Sequence, residues 1–250
     1  MSVADASGSA DFDEGRYLYC VVSADGADFR TDGVENEPVY VVEADGIAAV
    51  VHACESLYDT DDPQRVRKWL LDHQSVVDAA GERFGTPLPF RFDTVIAGDD
   101  GTVREWLEGA RDGIESHLAD LADHWEYRVE VVRIDDPAFD DDRLDELRAE
   151  AEAADEGRSF LVEKQIEERK RELRRAADAE IAADARERLD PLARELDVDE
   201  SADAVASFSL LAREDDERAL GERLDAVAAC EGIEVRFTGP WPPYSFAPEL

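Results

Sequence analysis

The stretch Ile233-Glu-Val-Arg-Phe-Thr-Gly-Pro-Trp-Pro-Pro-Tyr-Ser-Phe246 changes character halfway along. Ile233, Val235 and Phe237 alternate with Glu234, Arg236 and Thr238, the period-two pattern of a half-buried strand. Gly239-Pro240 is expected to end that strand, because proline has no N–H to give to a ladder. Pro242-Pro243 then holds the chain extended with a fixed φ. Trp241, Tyr244 and Phe246 place three large aromatics on this stiff segment. Two readings stand: a latch packed over the sheet edge, or a docking segment for another protein.

Working back from that strand, residues 214–231 read as a helix with Leu220, Leu224, Val227 and Ala228 inward, and Gly232 as its stop. Residues 205–211 read as a strand with Ala206, Phe208 and Leu210 on one face, after a linker at 197–203. Upstream lies the longest helix, about 159–190. Val162, Ile166, Leu173, Ala177, Ile181, Ala185, Leu189 and Leu192 recur along it at helical spacing. At 1.5 Å per residue it would run on the order of 45–50 Å, so part of it must project or pair with another helix. Asp190-Pro191 is expected to kink or end it. A shorter helix at 144–154, broken by Gly157, and a strand at 127–134 precede it. The β-α-β-α-β order predicts a modified ferredoxin-like open sheet with a long projecting helix. The second domain is thus expected over 125–250, tail 239–250 included.

The first domain is expected over 15–124, also α+β, after a disordered acidic segment at 1–14. Residues 16–23 are apolar on both faces, as an interior strand requires. Two short β-rich runs, 39–44 and 47–52, flank Asp45-Gly46, a type I′ hairpin signal. Asp62-Pro63 reads as an N-cap with proline at the first helical position. Val66, Trp69, Leu70, His73, Val76, Val77 and Ala80 form the stripe that follows, closed by Gly81 and Gly85. Pro87-Leu-Pro-Phe-Arg-Phe-Asp-Thr94 is a proline-stiffened loop. Thr102-x-x-Glu105 reads as a capping box for a second helix, with Val103, Leu107, Ala110, Ile114, Leu118, Leu121 and Trp125 inward.

The 250 residues hold 63 Asp and Glu against 27 Lys and Arg, a net charge of −36. The acids are spread along the chain, and the composition is 44% hydrophobic, so this is not acidic disorder. Such self-repulsion weakens a fold in dilute buffer, whereas molar salt shortens the Debye length to roughly 3 Å. A cytoplasmic protein of a salt-accumulating organism follows. The acidity argues against nucleic acid and anionic membranes as partners. No run reaches the roughly 18 apolar residues of a membrane span.

Motifs of chemistry are sparse. The chain has no phosphate-binding glycine loop, no G-x-S-x-G elbow and no H-E-x-x-H. Cys20, Cys54 and Cys230 are scattered and read as small hydrophobes. The acidic runs at 59–62 and 140–142 lack the spacing of a calcium loop. His117 and His124 could share a helix face but have no third ligand. No cofactor and no metal are expected. His73 lies in an apolar stripe and reads as a satisfied buried imidazole. Arg91, between Phe90 and Phe92, is either an anion clamp or an ion-paired loop arginine. A ligand-binding protein or enzyme with a pocket around His73 and Arg91 is the alternative reading, and a purely structural oligomer held through the long helix is a third.

Gly239-Pro-Trp-Pro-Pro-Tyr-Ser-Phe246 resembles the C-terminal signature of the gas vesicle protein GvpL/GvpF family. Tyr17-Leu-Tyr-Cys-Val-Val22, the His73 helix, residues 87–94 and Gly157-Arg-Ser-Phe-Leu-Val-Glu-Lys164 resemble the same family in the same order. One departure is Asp93, where the family usually has glycine. The resemblance implies two α+β domains, the second ferredoxin-like. It implies a non-enzymatic accessory role in gas vesicle assembly, located at the gas vesicle or in the cytoplasm. Its implied partners are the hydrophobic shell protein GvpA and other accessory proteins. The candidate partner-binding residues are Phe90, Arg91, Phe92, Trp241, Pro242, Pro243, Tyr244 and Phe246.

Overall fold

The computed structural model describes residues 12–24, 26, 28–201 and 203–248. Of the segment expected to be disordered, residues 1–11 lie outside these, while Phe12 packs against the core. In chain order the elements are β1 (Gly15–Ser23), β2 (Thr31–Asp32), β3 (Pro38–Ala44), β4 (Ile47–Cys54), α1 (Pro63–Phe84), β5 (Leu88–Pro89), β6 (Val95–Ala97), α2 (Asp100–Leu121), β7 (His124–Arg133), α3 (Asp142–Ala153), α4 (Glu156–Leu189), β8 (Ala193–Asp199), β9 (Ala206–Arg213), α5 (Glu217–Ala228) and β10 (Ile233–Trp241). The fold is α+β. The chain divides into two compact units, one running to Glu126 and resuming at Gly239, the other Tyr127–Thr238. The tail that follows β10 therefore groups with the first unit, not with the second as its sequence position suggested.

The first unit is built on β1, buried along all but its last residue. The sheet runs β2-β3-β4-β1-β5, with β6 also on β1. The β3–β4 hairpin forms as expected: Asp45 and Gly46 have φ of 47° and 90°, the pair of positive values that a type I′ turn demands. A register shift between Leu18 and Cys20 marks a bulge in the β1–β4 ladder. Helix α1 starts where Asp62 accepts the Gln64 N–H at 3.0 Å, with proline next. It buries Trp69, His73, Val76, Val77 and Ala80 on the β1 face that carries Tyr17, Tyr19, Cys20 and Val22. Leu70, placed inward by its periodicity, is exposed. Gly81 does not close this helix. It lies within α1, where a Cβ would come to 2.8 Å from the Trp125 ring. Only Gly85, at φ 86°, caps it. Helix α2 is capped three residues before the expected box, because Asp99 takes the Thr102 N–H at 3.1 Å, and Trp125, expected inward on this helix, falls beyond its end in β7.

In the second unit the sheet order is β10-β7-β9-β8. The residues expected to form a linker and helix end instead supply β8, antiparallel to β9. Strand β10 runs through Gly239-Pro240, a cis peptide, and on to Trp241. It does not stop at the proline because β10 is an edge strand, where a missing N–H interrupts no inner ladder. Helix α3 is capped by Asp141, whose carboxylate also takes Arg169 from α4 at 2.7 and 3.1 Å. Gly157 does not break the helices apart; it sits in the first turn of α4, and the break falls at Ala154 and Asp155. Helix α4 has 34 residues and packs against α3 and α5. Arg133, at the end of β7, bonds Asp178 of α4 through Nε at 2.9 Å and Nη2 at 2.5 Å. Gly232, at φ 71°, turns the chain into β10 as read from sequence. A Cβ there would meet the Asp135 carbonyl at 2.7 Å.

Candidate functional site

The aromatic tail is divided by its own backbone. Trp241, the last residue of β10, is 41% exposed. Pro242 and Pro243 are buried, and the chain turns there: the N–H groups of Tyr244 and Ala247 donate to the carbonyls of Pro242 and Pro243 at 2.8 and 2.9 Å. The Ser245 N–H and hydroxyl both donate to the Glu126 carboxylate, at 2.8 and 3.0 Å. Glu126 is only 1% exposed, so this is a carboxylate held in a dry site by donors from the tail. Burial raises the Tyr244 hydroxyl pKa well above the usual range. That hydroxyl is sealed from solvent with no hydrogen-bond partner among the described residues. Residues 242–248 are thus a strap over the first unit, and Trp241 is the aromatic left outward.

The loop candidates divide in the same way. Phe90 is buried against Trp106, ring centroids 5.9 Å apart. Phe92 is half-buried and stacks on Trp69 at 6.3 Å. Arg91 between them is exposed. Asp93 adopts φ 66°, the left-handed region that aspartate tolerates better than most residues. It thereby keeps a backbone conformation that glycine adopts freely. Its carboxylate then accepts the Tyr58 N–H at 3.1 Å, a bond glycine could not make.

Behind this loop lies a buried network that sequence reading reached only through His73. The Tyr17 hydroxyl accepts the Asp93 N–H at 3.1 Å and is 2.8 Å from His73 Nδ1. His73 Nε2 is 3.1 Å from the Phe90 carbonyl, which can only accept. His73 therefore carries its proton on Nε2, and Tyr17 donates to Nδ1. His52 repeats the motif, with Tyr19 at 2.8 Å on Nδ1 and Tyr58 at 3.1 Å on Nε2. Tyr17 and His52 face each other across β1 and β4, their rings stacked at 4.7 Å. Burial lowers both imidazole pKa values to about 4 and raises those of Tyr17, Tyr19 and Tyr58. Both imidazoles are neutral at pH 7. Trp69 Nε1 donates to Glu35, which also takes Arg65 at 3.1 Å, closing the network toward solvent.

His73 is 3% exposed with both ring nitrogens engaged, whereas Arg91 is exposed, so the two do not converge on one enclosed cavity. Convergence of both side chains on one enclosed cavity is what the pocket alternative required. Among the described residues, no group of three or more His, Cys, Asp or Glu is placed to hold a metal ion. Likewise no helix is long and apolar enough to cross a membrane. His124 Nδ1 lies 2.7 Å from the Ala122 carbonyl, a local bond. Sequence reading missed Glu126, because its role depends on a tail more than 100 residues away and leaves no local pattern. His52 did leave one: it continues the apolar run 47–51 into a position where a polar residue needs a partner.

The profile of the family described as "Gas vesicle synthesis protein GvpL/GvpF" matches residues 15–248. The chain is 46% identical to gas vesicle protein L1 of Halobacterium salinarum, over 94% of this chain and 91% of that protein. It is 36% identical to gas vesicle protein L of Haloferax mediterranei, over 95% and 88%. The crystal structure of GvpF from Anabaena superposes with a TM-score of 0.71 over 95% of this chain and 99% of that one, at 19% identity. GvpF from Microcystis aeruginosa gives 0.67 at 21% identity, covering 94% and 99%. These two show the fold. The profile and the L proteins, spanning nearly the whole chain, show that it belongs to the GvpL/GvpF family of gas vesicle proteins.

Proposed function

We propose that this chain is an L-type, non-enzymatic accessory protein of gas vesicle formation that engages the hydrophobic shell protein GvpA and other accessory proteins. The L-type assignment rests on relatives at 36–46% identity that are all L proteins. The two compact units act as two domains. The second is read as ferredoxin-like, because its strand order, with the outer strand β10 beside β7 and β9 between β7 and β8, suits a split βαβ arrangement.

Trp241 carries the reading of the contact. It is a large apolar side chain, 41% exposed, on a backbone stiffened by Pro240, Pro242 and Pro243 and anchored by the strap. A pre-organised aromatic gives up little entropy on binding, which is what an anchor residue needs. Exposed Arg91 offers a second, polar point. The segment thus combines both sequence readings: Tyr244 and Ser245 serve as the latch and Trp241 as the docking group.

Capture of GvpA by immobilised protein at molar salt tests the division of roles. Trp241→Ala is expected to lower capture by about tenfold with thermal melting unchanged. Tyr244→Ala is expected to lower the melting temperature first. Wild-type capture by a folded Trp241→Ala protein removes Trp241 from the mechanism.

A further inference from the structure

Helix α4 carries an outward face whose spacing is the same read from either end. Leu161, Lys164, Glu168, Arg175, Ala179 and Ala182 recur at steps of three, four, seven, four and three, with Arg171 and Glu172 at the centre. At 3.6 residues per turn these positions share one side of the helix. The other side is occupied: Val162, Ala185 and Leu189 are buried, Arg169 holds Asp141, Arg174 holds Asp136 and Asp178 holds Arg133. At one end of the outward face Phe160 and Leu161 are 57% and 60% exposed. At the other end Ala182 and Ala183, with Val198 of β8 and Phe208 of β9, line an open groove of about 380 Å³. The 21 residues from Leu161 to Ala182 put knob and groove about 32 Å apart.

We propose that a second copy of this chain packs antiparallel on α4, each copy's Phe160 and Leu161 entering the other's groove. Turning one helix about a two-fold axis between Arg171 and Glu172 sets Leu161 opposite Ala182 and Lys164 opposite Ala179. The same rotation sets Glu168 opposite Arg175 and Arg171 opposite Glu172. Every charged pair so formed is of opposite sign, and each contact is made twice, as an isologous interface requires. The alanines let the two backbones approach.

Charge also selects a like partner. In a chain of net charge −36, residues 168–175 hold five basic and two acidic side chains. Arg169, Lys170 and Arg174 are held by Asp141, Glu167 and Asp136 of their own chain, so the axis is left with Glu168, Arg171, Glu172 and Arg175, two acids and two bases that a second copy can pair without excess charge of either sign. Glu168 and Arg171 are only loosely paired within the chain, at 3.9 Å and largely exposed, and Glu172 gives up an exposed i,i+3 contact of 3.0 Å to Arg169, which keeps Asp141, so re-pairing across the axis costs little. At molar salt the charges set the register, and the apolar ends, which salt strengthens, hold the contact.

Sedimentation of the full chain at molar salt over a concentration series tests this. The wild type is expected to be a dimer, and Leu161→Glu a folded monomer by its unchanged circular dichroism. Glu168→Arg is expected to weaken the dimer by about tenfold or more, and Glu168→Arg with Arg175→Glu to restore it. Glu172→Cys, close to the axis, is expected to form an inter-chain disulfide on oxidation that the wild type does not. A monomeric wild type, or a dimer indifferent to Leu161→Glu and to the charge exchange, overturns the proposal. So does a surface that captures other proteins while the wild type stays monomeric.

Discussion

His52 sits in a dry site between the Tyr19 and Tyr58 hydroxyls and His73 between the Tyr17 hydroxyl and the Phe90 carbonyl, and neither is bonded to a carboxylate that would welcome a proton. Burial lowers both pKa values from 6.5 to about 4. The groups that face them are Tyr17 and Tyr19 from β1, Tyr58 from the segment before α1, and the Phe90 carbonyl from the loop after it. The unfolded chain takes up protons below pH 6.5, and the folded one only near 4. Their stabilising effect is therefore fully present above pH 6.5 and lost as pH falls toward 4. The slope is about 1.4 kcal/mol per pH unit for each histidine. Between about pH 6.5 and 5 most ordinary carboxylates stay charged, so relief of acidic repulsion does not mask the loss. Urea unfolding at molar salt is expected to show stability falling by on the order of 2–4 kcal/mol across that interval. A flat or rising profile sinks the assignment of both imidazoles as neutral.

Among the elements, those built on strong local chemistry were legible in the sequence. The Asp45-Gly46 hairpin, the Asp62-Pro63 helix start and the Gly232 turn each need one particular backbone conformation that few residues supply. β8 was not legible. Ala-Arg-Glu-Leu-Asp-Val-Asp carries charges along an exposed edge strand, which protects the edge from other chains while hiding the period-two signal. Gly81 and Gly157 were misread because glycine marks both close packing and helix ends, and sequence does not separate the two. Of the candidate site, the tail's importance was legible, but its division into strap and exposed Trp241 depends on Glu126 and was not. At α4, the link to the sheet rests on Arg133 and Asp178, whose side chains are 12% and 27% exposed. Asp178→Ala leaves a largely buried guanidinium without its partner. It is expected to lower stability by about 1–3 kcal/mol, with the urea midpoint reduced and the slope unchanged. An unchanged midpoint means other acids replace Asp178.

Over the whole molecule the charge dominates, with 63 acids against 27 bases. Raising salt from about 0.1 to 3 M shortens the Debye length from roughly 10 Å to below 3 Å. The melting temperature is expected to rise on the order of 10 °C, or about 3 kcal/mol. A salt-independent melting temperature means that the surface ion pairs already neutralise the repulsion. The route of the backbone adds a different consequence. The chain leaves the first unit after Glu126, builds all of Tyr127–Thr238, and only then returns at Gly239. The second unit is thus an insertion within the first. During translation the first unit stands without its strap while 112 residues are made, 238 − 127 + 1, and the Glu126 carboxylate must wait for Ser245. A ribosome stalled within the second unit holds a first unit with its Tyr244 seat open, so the finishing of one unit reports that the other has been synthesised.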